Sequence, residues 1–307
     1  MIKRTLYFGN PAYLSLKMKQ LVVRIPLQED KDDLPAKEGP TRTIPIEDIG
    51  IVILDHRQVT ITQGLLEALL ANNCAVITCD SKRMPTGLLL PLAGNTIQTE
   101  RFRSQIEASL PLKKQLWQQT IEAKIRNQAA MLKYVTGSDH PNMLKWADSV
   151  RSGDTDNLEG RAAVYYWKTV FPEDPSFVRQ QEAEGVNTLL NYGYAILRAM
   201  VARALVSSGL LPTLGIHHHN RYNAYCLADD IMEPYRPYVD QLVIDSLNEG
   251  IAPEINTDNK IKLLNLPVKE VLINEKRSPL MVAVTQTTAS LVKCFRGEIR
   301  KIIYPEM

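Results

Sequence analysis

QLWQQTIEAKIRNQAAMLKYV, residues 115–135, places Leu116, Ile121, Ile125, Ala129 and Leu132 about one helical turn apart, with Lys, Arg and Gln between them. That spacing is the repeat of an amphipathic helix, not the every-second-residue alternation of a strand. Toward the C-terminus, helical patterns continue at 141–152, 156–170, 183–207, 222–248 and 279–303, punctuated by Pro172, Pro175, Gly185, Gly209 and Pro212. Toward the N-terminus the character changes. RTLYF (4–8), AYLSLKM (12–18), LVVRI (21–25), TRTIPI (41–46) and GIVIL (50–54) are short β-branched or aromatic runs between turn formers, and they predict strands. Thr62 is a candidate N-cap for a helix in TQGLLEALLANN (62–73), and CAVITCD (74–80) reads as one more strand. The charged stretch QEDKDDLPAKEGP (28–40) reads as an exposed loop. The expected fold is α+β: a small N-terminal β-sheet domain, residues 1–92, then a larger all-α domain, residues 93–307, with the boundary around LPLAGN.

A chain of 307 residues, 45% hydrophobic and 23% charged, is long enough for two domains and has the balance of an ordinary globular protein, which excludes disordered and fibrous classes. Cys74, Cys79, Cys226 and Cys294 form no CxxC pair, so neither a disulfide framework nor a thiolate zinc site is expected. Reduced thiols suit the cytoplasm. MIKRTLYFGN has no apolar segment behind its basic start, and no unbroken run of apolar residues reaches membrane-spanning length, so the expectation is a cytoplasmic protein, neither secreted nor membrane-spanning. A net charge of +2 says little about nucleic acid, because such enzymes gather their basic residues on one face. No P-loop or Gly-rich nucleotide fingerprint occurs.

Two clusters carry chemistry. In NLEGRAAVYYWKTVF (157–171), Glu159 falls in the first turn of a helix opened by the capping segment DTDN, a place where the helix dipole alone would favour an acid. In LGIHHHNRYNAYCLADDIMEPYRPYVD (214–240), three histidines precede a helix bearing Asp229, Asp230 and Glu233. The histidine run alone reads as a solvent loop. Asp230 and Glu233, three apart, share a helix face, and Leu227, Ile231 and Met232 around them predict burial. Buried carboxylates are costly unless they hold a metal or pair with cations. Phosphodiester chemistry needs such a hard divalent cation to neutralise phosphate oxygens.

The segments LEGRAA, NTLLNYGYAILRAMVARAL, LPTLGIHHHN and LADDIMEPYRPYVD follow one another in the order and spacing that resembles the CRISPR-associated integrase of spacer acquisition, the Cas one family. YFGNPAYLSLKMKQLVV, PIEDIGIVILD and AVITCDSKRMPTGLLLPL match its N-terminal half in outline, and ADDIMEPYRPYVD resembles the type II branch. The resemblance implies a Mg²⁺ or Mn²⁺ ion held by Glu159, by His218 of Gly215-Ile216-His217-His218, and by Glu233 of Asp230-Ile231-Met232-Glu233, with Asp230 as an orienting acid and Asn187, Asn191 and Tyr192 near the metal. Tyr165, Arg161, Arg198, Arg221 and Arg236 surround these acids in sequence and are candidates to line a DNA channel; Arg57, Lys82 and Arg83 are candidate phosphate contacts. It further implies joining of the 3′-OH ends of a short protospacer duplex to a CRISPR repeat by transesterification, without an energy cofactor. The N-terminal domain would serve dimerisation and partner binding, and two homodimers would be bridged by the small Cas two protein, with further type II CRISPR proteins in the complex. Two other readings remain open: an endonuclease acting on branched DNA without a partner, and a DNA-binding scaffold whose acids and histidines are structural.

Overall fold

The computed structural model describes residues 3–26, 41–174, 176–180 and 182–307, so the expected loop at 28–40 lies outside the described residues. The chain divides into two compact units, Met1–Leu92 and Ala93–Met307. In the first, Arg4–Phe8 (β1), Ile49–Leu54 (β5), Ala75–Cys79 (β7) and Pro85–Leu89 (β8) form one sheet in the order β1-β5-β7-β8. β1, β5 and β7 run parallel, and β8 closes the edge antiparallel. Ala12–Lys17 (β2), Gln20–Arg24 (β3), Thr41–Pro45 (β4) and Val59–Ile61 (β6) form a second sheet in the order β4-β3-β2-β6. Met18 and Lys19 take up positive φ (49° and 59°) in the tight turn between β2 and β3, the twist that a two-residue hairpin favours. Ile51, Val52 and Ile53 are all fully buried, which is why central strand β5 reads as a continuous apolar run and not as an alternation. Helix Gln63–Ala71 (α1) seats Leu65 and Leu69 in a core with Leu14, Leu21, Val52 and Val76. β6 and β8 escape a sequence reading. One is three residues long, and the other carries Pro85 and Gly87, so ladder pairing with neighbours overrides weak local propensity.

The second unit is mostly helical. Its helices are Gln98–Ile106 (α2), Leu110–Thr136 (α3), Pro141–Ser149 (α4), Leu158–Thr169 (α5), Val186–Ser207 (α6), Cys226–Met232 (α7), Arg236–Asn248 (α8), Thr257–Leu264 (α9) and Leu280–Phe295 (α10). Ser109 caps α3 by accepting from the Leu112 amide, and Gly137 ends it at φ 70°, the left-handed stop that glycine supplies at low cost. α6 is long and apolar enough to cross a membrane by length and composition, but 78% of its most apolar stretch is buried inside the fold, packed by α7, α8, α9 and α10. Gly193 makes the α6–α8 approach possible: an added Cβ would collide with Val239 and lie 3.2 Å from Leu263. Gly193→Ala is therefore expected to cost about 1–3 kcal/mol through overpacking, although alanine is the better helix former; a melting temperature at or above the wild-type value would contradict this.

Three features depart from the sequence reading. The helix expected over 222–248 breaks at Glu233–Tyr235, a single 3-10 turn, because Pro234 and Pro237 have no amide hydrogen to continue the ladder. The helix expected over 279–303 stops at Phe295, followed by Gly297 at φ 73°, and the tail runs back to α3, where Asn127 donates to the carbonyls of Pro234 (2.8 Å) and Pro305 (3.0 Å) and accepts from the Met307 amide (3.1 Å). The domain expected to be all-α also contains an antiparallel hairpin, Glu270–Ile273 (β9) with Lys276–Pro279 (β10), turned by Asn274 and Glu275 at φ 51° and 61°.

Candidate metal centre

Glu159 is the second residue of α5. Asp154 accepts from the Leu158 (2.9 Å) and Glu159 (3.0 Å) amides, and Asn157, at φ 50°, accepts from the Gly160 amide (3.3 Å). These bonds satisfy the orphan donors of the first turn and aim the glutamate. Gly160 is required by the cap itself, since a Cβ there would stand 2.8 Å from the Asn157 carboxamide.

Glu233 sits at the break between α7 and α8 and is buried. Between the two acids lies Lys124 of α3, whose Nζ is 2.7 Å from Glu159 Oε1 and 2.6 Å from Glu233 Oε2. The Arg236 Nε is 2.9 Å from the other oxygen of Glu233. Burial by itself would raise the Glu233 carboxyl, but Arg236 and Lys124 outweigh it and hold the group down to about 2. Burial likewise works against the Lys124 ammonium, and Glu233 and Glu159 more than compensate, raising it above its ordinary range. Glu233 and Lys124 are therefore both charged at neutral pH.

The turn before α7 is built on Asp230, which is fully buried. Its carboxylate accepts from the amides of Ile216 (2.7 Å), His217 (2.9 Å) and His218 (3.2 Å) and lies 2.5 Å from His218 Nδ1. Gly215 allows this close wrap: a Cβ would collide with the His218 carbonyl and come 2.8 Å from Asp230 Oδ2. The Asp230 hydrogen bond raises the His218 imidazole above its ordinary value against the opposing effect of burial, and Glu233 and Glu159 add to the rise. His217 instead stacks on Trp117 of α3, ring centroids 4.1 Å apart and planes within 2°, and burial followed by His218 pushes its imidazole down. His219 is exposed and bonds the His217 carbonyl.

The structure thus brings Glu159 and Glu233 together through one ammonium and fastens His218 to Asp230. Among the described residues no three histidine, cysteine or acidic side chains are gathered as a ready metal-binding group. The donor chemistry nevertheless fits a hard divalent cation. Two carboxylates already share one positive charge, and Nδ1 of His218, held by Asp230, leaves Nε2 as the nitrogen free to ligate, the usual carboxylate–histidine pairing at metal sites.

Other residues singled out in the sequence stand elsewhere. Asn187 and Asn191 accept from Arg179 (2.9 and 2.6 Å), which lies over the Tyr194 ring. Tyr192 is fully buried with the Lys260 ammonium over its ring. Tyr165 bonds His140 (3.0 Å) and packs edge-on to Trp146, above which Arg161 lies exposed. Arg198 and Arg236, expected to face DNA, are committed to Asp229 (2.6 and 3.2 Å) and Glu233; buried acids recruit them more strongly than solvent does. Arg221 is exposed and stacks on Tyr222. Arg57, Lys82 and Arg83 are exposed in the first unit, Arg83 lying 3.7 Å from Asp55.

Sequence reasoning missed Lys124 and Asp240. The signal for the lysine was present: Thr120, Lys124, Asn127 and Gln128 form a buried polar stripe on α3 at helical spacing. Asp240 accepts from the hydroxyls of Tyr166 (2.6 Å) and Tyr194 (2.5 Å), and the Tyr194 ring lies 4.7 Å beneath the Arg236 guanidinium. Burial pushes the Asp240 carboxyl up to about 6 despite both hydrogen bonds. This network backs the arginine that grips Glu233.

The family model described as CRISPR associated protein Cas1 matches residues 6–275. The CRISPR-associated endonuclease Cas1 of Neisseria meningitidis serogroup C (strain 8013) is 36% identical over 290 residues, 94% of this chain and 90% of that protein, and the likeness to the type II branch is carried by this relative. Among solved structures, a casposase bound to integration product is similar with a TM-score of 0.77 at 21% identity, over 98% of this chain and 92% of its own. A chain of a Cas6-RT-Cas1–Cas2 complex is similar with a TM-score of 0.72 at 21% identity, over 98% of this chain and 36% of that longer one. At those identities the two structures speak for the fold alone, whereas a family model spanning most of the sequence and a relative of this identity over nearly its whole length show that the chain belongs to the CRISPR-associated Cas1 family.

Proposed function

We propose that this protein is a metal-dependent DNA integrase of CRISPR adaptation, joining the 3′-OH ends of a short duplex to a repeat by transesterification in the cytoplasm. The observation that carries the reading is the single cation shared by Glu159 and Glu233, two acids presented by separate helices next to an imidazole that a buried aspartate orients. Glu159, Glu233 and Nε2 of His218 would hold Mg²⁺ or Mn²⁺. Such an ion supplies Lewis-acid polarisation of the scissile phosphate and stabilises charge on the departing oxygen. The chain's own contribution is orientation: Asp154 and Asn157 aim Glu159, Asp230 sets the imidazole, and Arg236 keeps Glu233 ionised. Arg161 and Arg221, both exposed, are the proposed phosphate contacts, and their contribution would weaken with salt. DNA, a second copy of the chain and a Cas2-type protein are the proposed partners; one structural neighbour belongs to a Cas1–Cas2 complex, and another is bound to integration product.

The test is incubation of a duplex bearing free 3′-OH ends with a supercoiled repeat-bearing plasmid in Mg²⁺, Mn²⁺ or chelator. Joined product should form with either ion, and its appearance in chelator would overturn the reading. Nicking without joining would assign the site to endonuclease chemistry, with water in place of the 3′-OH. A protonated imidazole cannot ligate, and the His218 imidazole is raised above about 6.5. Mn²⁺ affinity should therefore rise as the pH increases beyond the ordinary imidazole value of about 6.5, and a flat profile would exclude this histidine as a ligand.

A further inference from the structure

The centre already contains a cation. Lys124 extends from the buried face of α3, 8% exposed, with its ammonium within 2.7 Å of one oxygen on each of Glu159 and Glu233. Arg236 Nε lies 2.9 Å from the remaining oxygen of Glu233, and its guanidinium is backed by the Tyr194 ring, so it is the fixed partner and the lysine the exchangeable one. Glu159 and Glu233 would hold a hard divalent cation with the carboxylate oxygens that now face Nζ, so the ion and the ammonium would compete for one place. Two positive centres cannot occupy that space together, because their repulsion at contact distance is not offset by any further acid among the described residues: Asp230 is committed to the 216–218 amides and Asp229 to Arg198.

We propose that Lys124 is an internal counter-cation that exchanges with the metal, holding Glu159 and Glu233 together before loading and leaving them on loading. This rests on the reading of those acids as metal ligands. A four-carbon stem with free rotation suits the exchange, and the partly exposed Glu159 side chain, 24% accessible, leaves an open side toward which the ammonium can swing. An arginine fork at the same place would grip both carboxylates bidentately and resist displacement.

The experiment uses the full chain and two readouts besides activity. Mn²⁺ binding is followed by electron paramagnetic resonance of the free ion for wild type and Lys124→Met, and acetylation of Lys124 in wild type is followed by mass spectrometry in chelator and in saturating Mg²⁺. Lys124 should be protected in chelator and become severalfold more reactive with Mg²⁺, while lysines outside the centre keep their rates. Lys124→Met should bind Mn²⁺ more tightly, on the order of tenfold, because no internal cation must first be displaced, and should melt lower than wild type in chelator but recover with Mn²⁺. Should the variant fail to fold, the acetylation of wild type decides alone. Wild type that binds Mn²⁺ with Lys124 as protected as in chelator, or a folded variant that binds no more tightly, overturns the exchange and leaves the metal centre standing. Wild type that binds no Mn²⁺ overturns both.

Discussion

Replacing Glu233 by Gln should lower strand transfer by at least about 100-fold and destabilise the protein by about 3–5 kcal/mol, whereas Glu159→Gln should lower strand transfer as far at a cost of no more than about 1 kcal/mol. The difference comes from surroundings. Glu233 is buried between Lys124 and Arg236, so its neutralisation strands two cations out of water. Glu159 leaves its partner Lys124 still paired with Glu233, and part of its side chain faces solvent. Because the Glu233 carboxyl is depressed to about 2, its contribution is fully present above about 4.3, the ordinary glutamate value, and is lost as the pH falls toward 2. The stability gap between wild type and Glu233→Gln, read from denaturant midpoints, should therefore close in acid. A gap that persists at pH ~2 would mean that the ion pairs are not its source.

Asp230→Ala should be nearly as damaging by another route. Three amides, one buried and two part-buried, and one imidazole converge on this carboxylate, so its removal leaves donors without acceptors, costing ~3 kcal/mol, and frees the 215–218 turn. Mn²⁺ affinity should drop about 10–100-fold as the imidazole loses its orientation. Asp230→Asn retains one acceptor oxygen and should recover part of the stability but little of the affinity, since its amide nitrogen faces donors. Calorimetry together with Mn²⁺ titration separates the two effects; wild-type affinity in a folded Asp230→Ala protein would show that the turn positions nothing.

Local patterns foretold much of the architecture. The strands β1 to β5 and β7, helix α1 and the long helices α3 and α6 all lie where alternation, helical period or a capping residue placed them, whereas the helix expected over 222–248 is broken at Glu233–Tyr235. β6, β8 and the β9–β10 hairpin were invisible because three to five residues carry too little period; β6 is completed by β2, distant in sequence, whereas β8, β9 and β10 pair with their neighbours along the chain. The same limit applies within the site. Glu159 and Glu233 were legible as acids with helical context and family resemblance, but Arg198 and Arg236 read as DNA-facing cations until the structure paired them with Asp229 and Glu233.

By itself, then, the order of residues determined which segments become helices and strands, which acids are too enclosed by apolar neighbours to be solvated, and which family the chain resembles, because periodicity and burial are properties of neighbours along the chain. Only the tertiary structure decided that Lys124 stands between the two glutamates, that Asp230 closes on the 216–218 amides, and that Asp240 gathers Tyr166 and Tyr194 beneath Arg236. Charges choose partners by distance and desolvation through space, and neither quantity exists until helices from separate parts of the sequence are packed together.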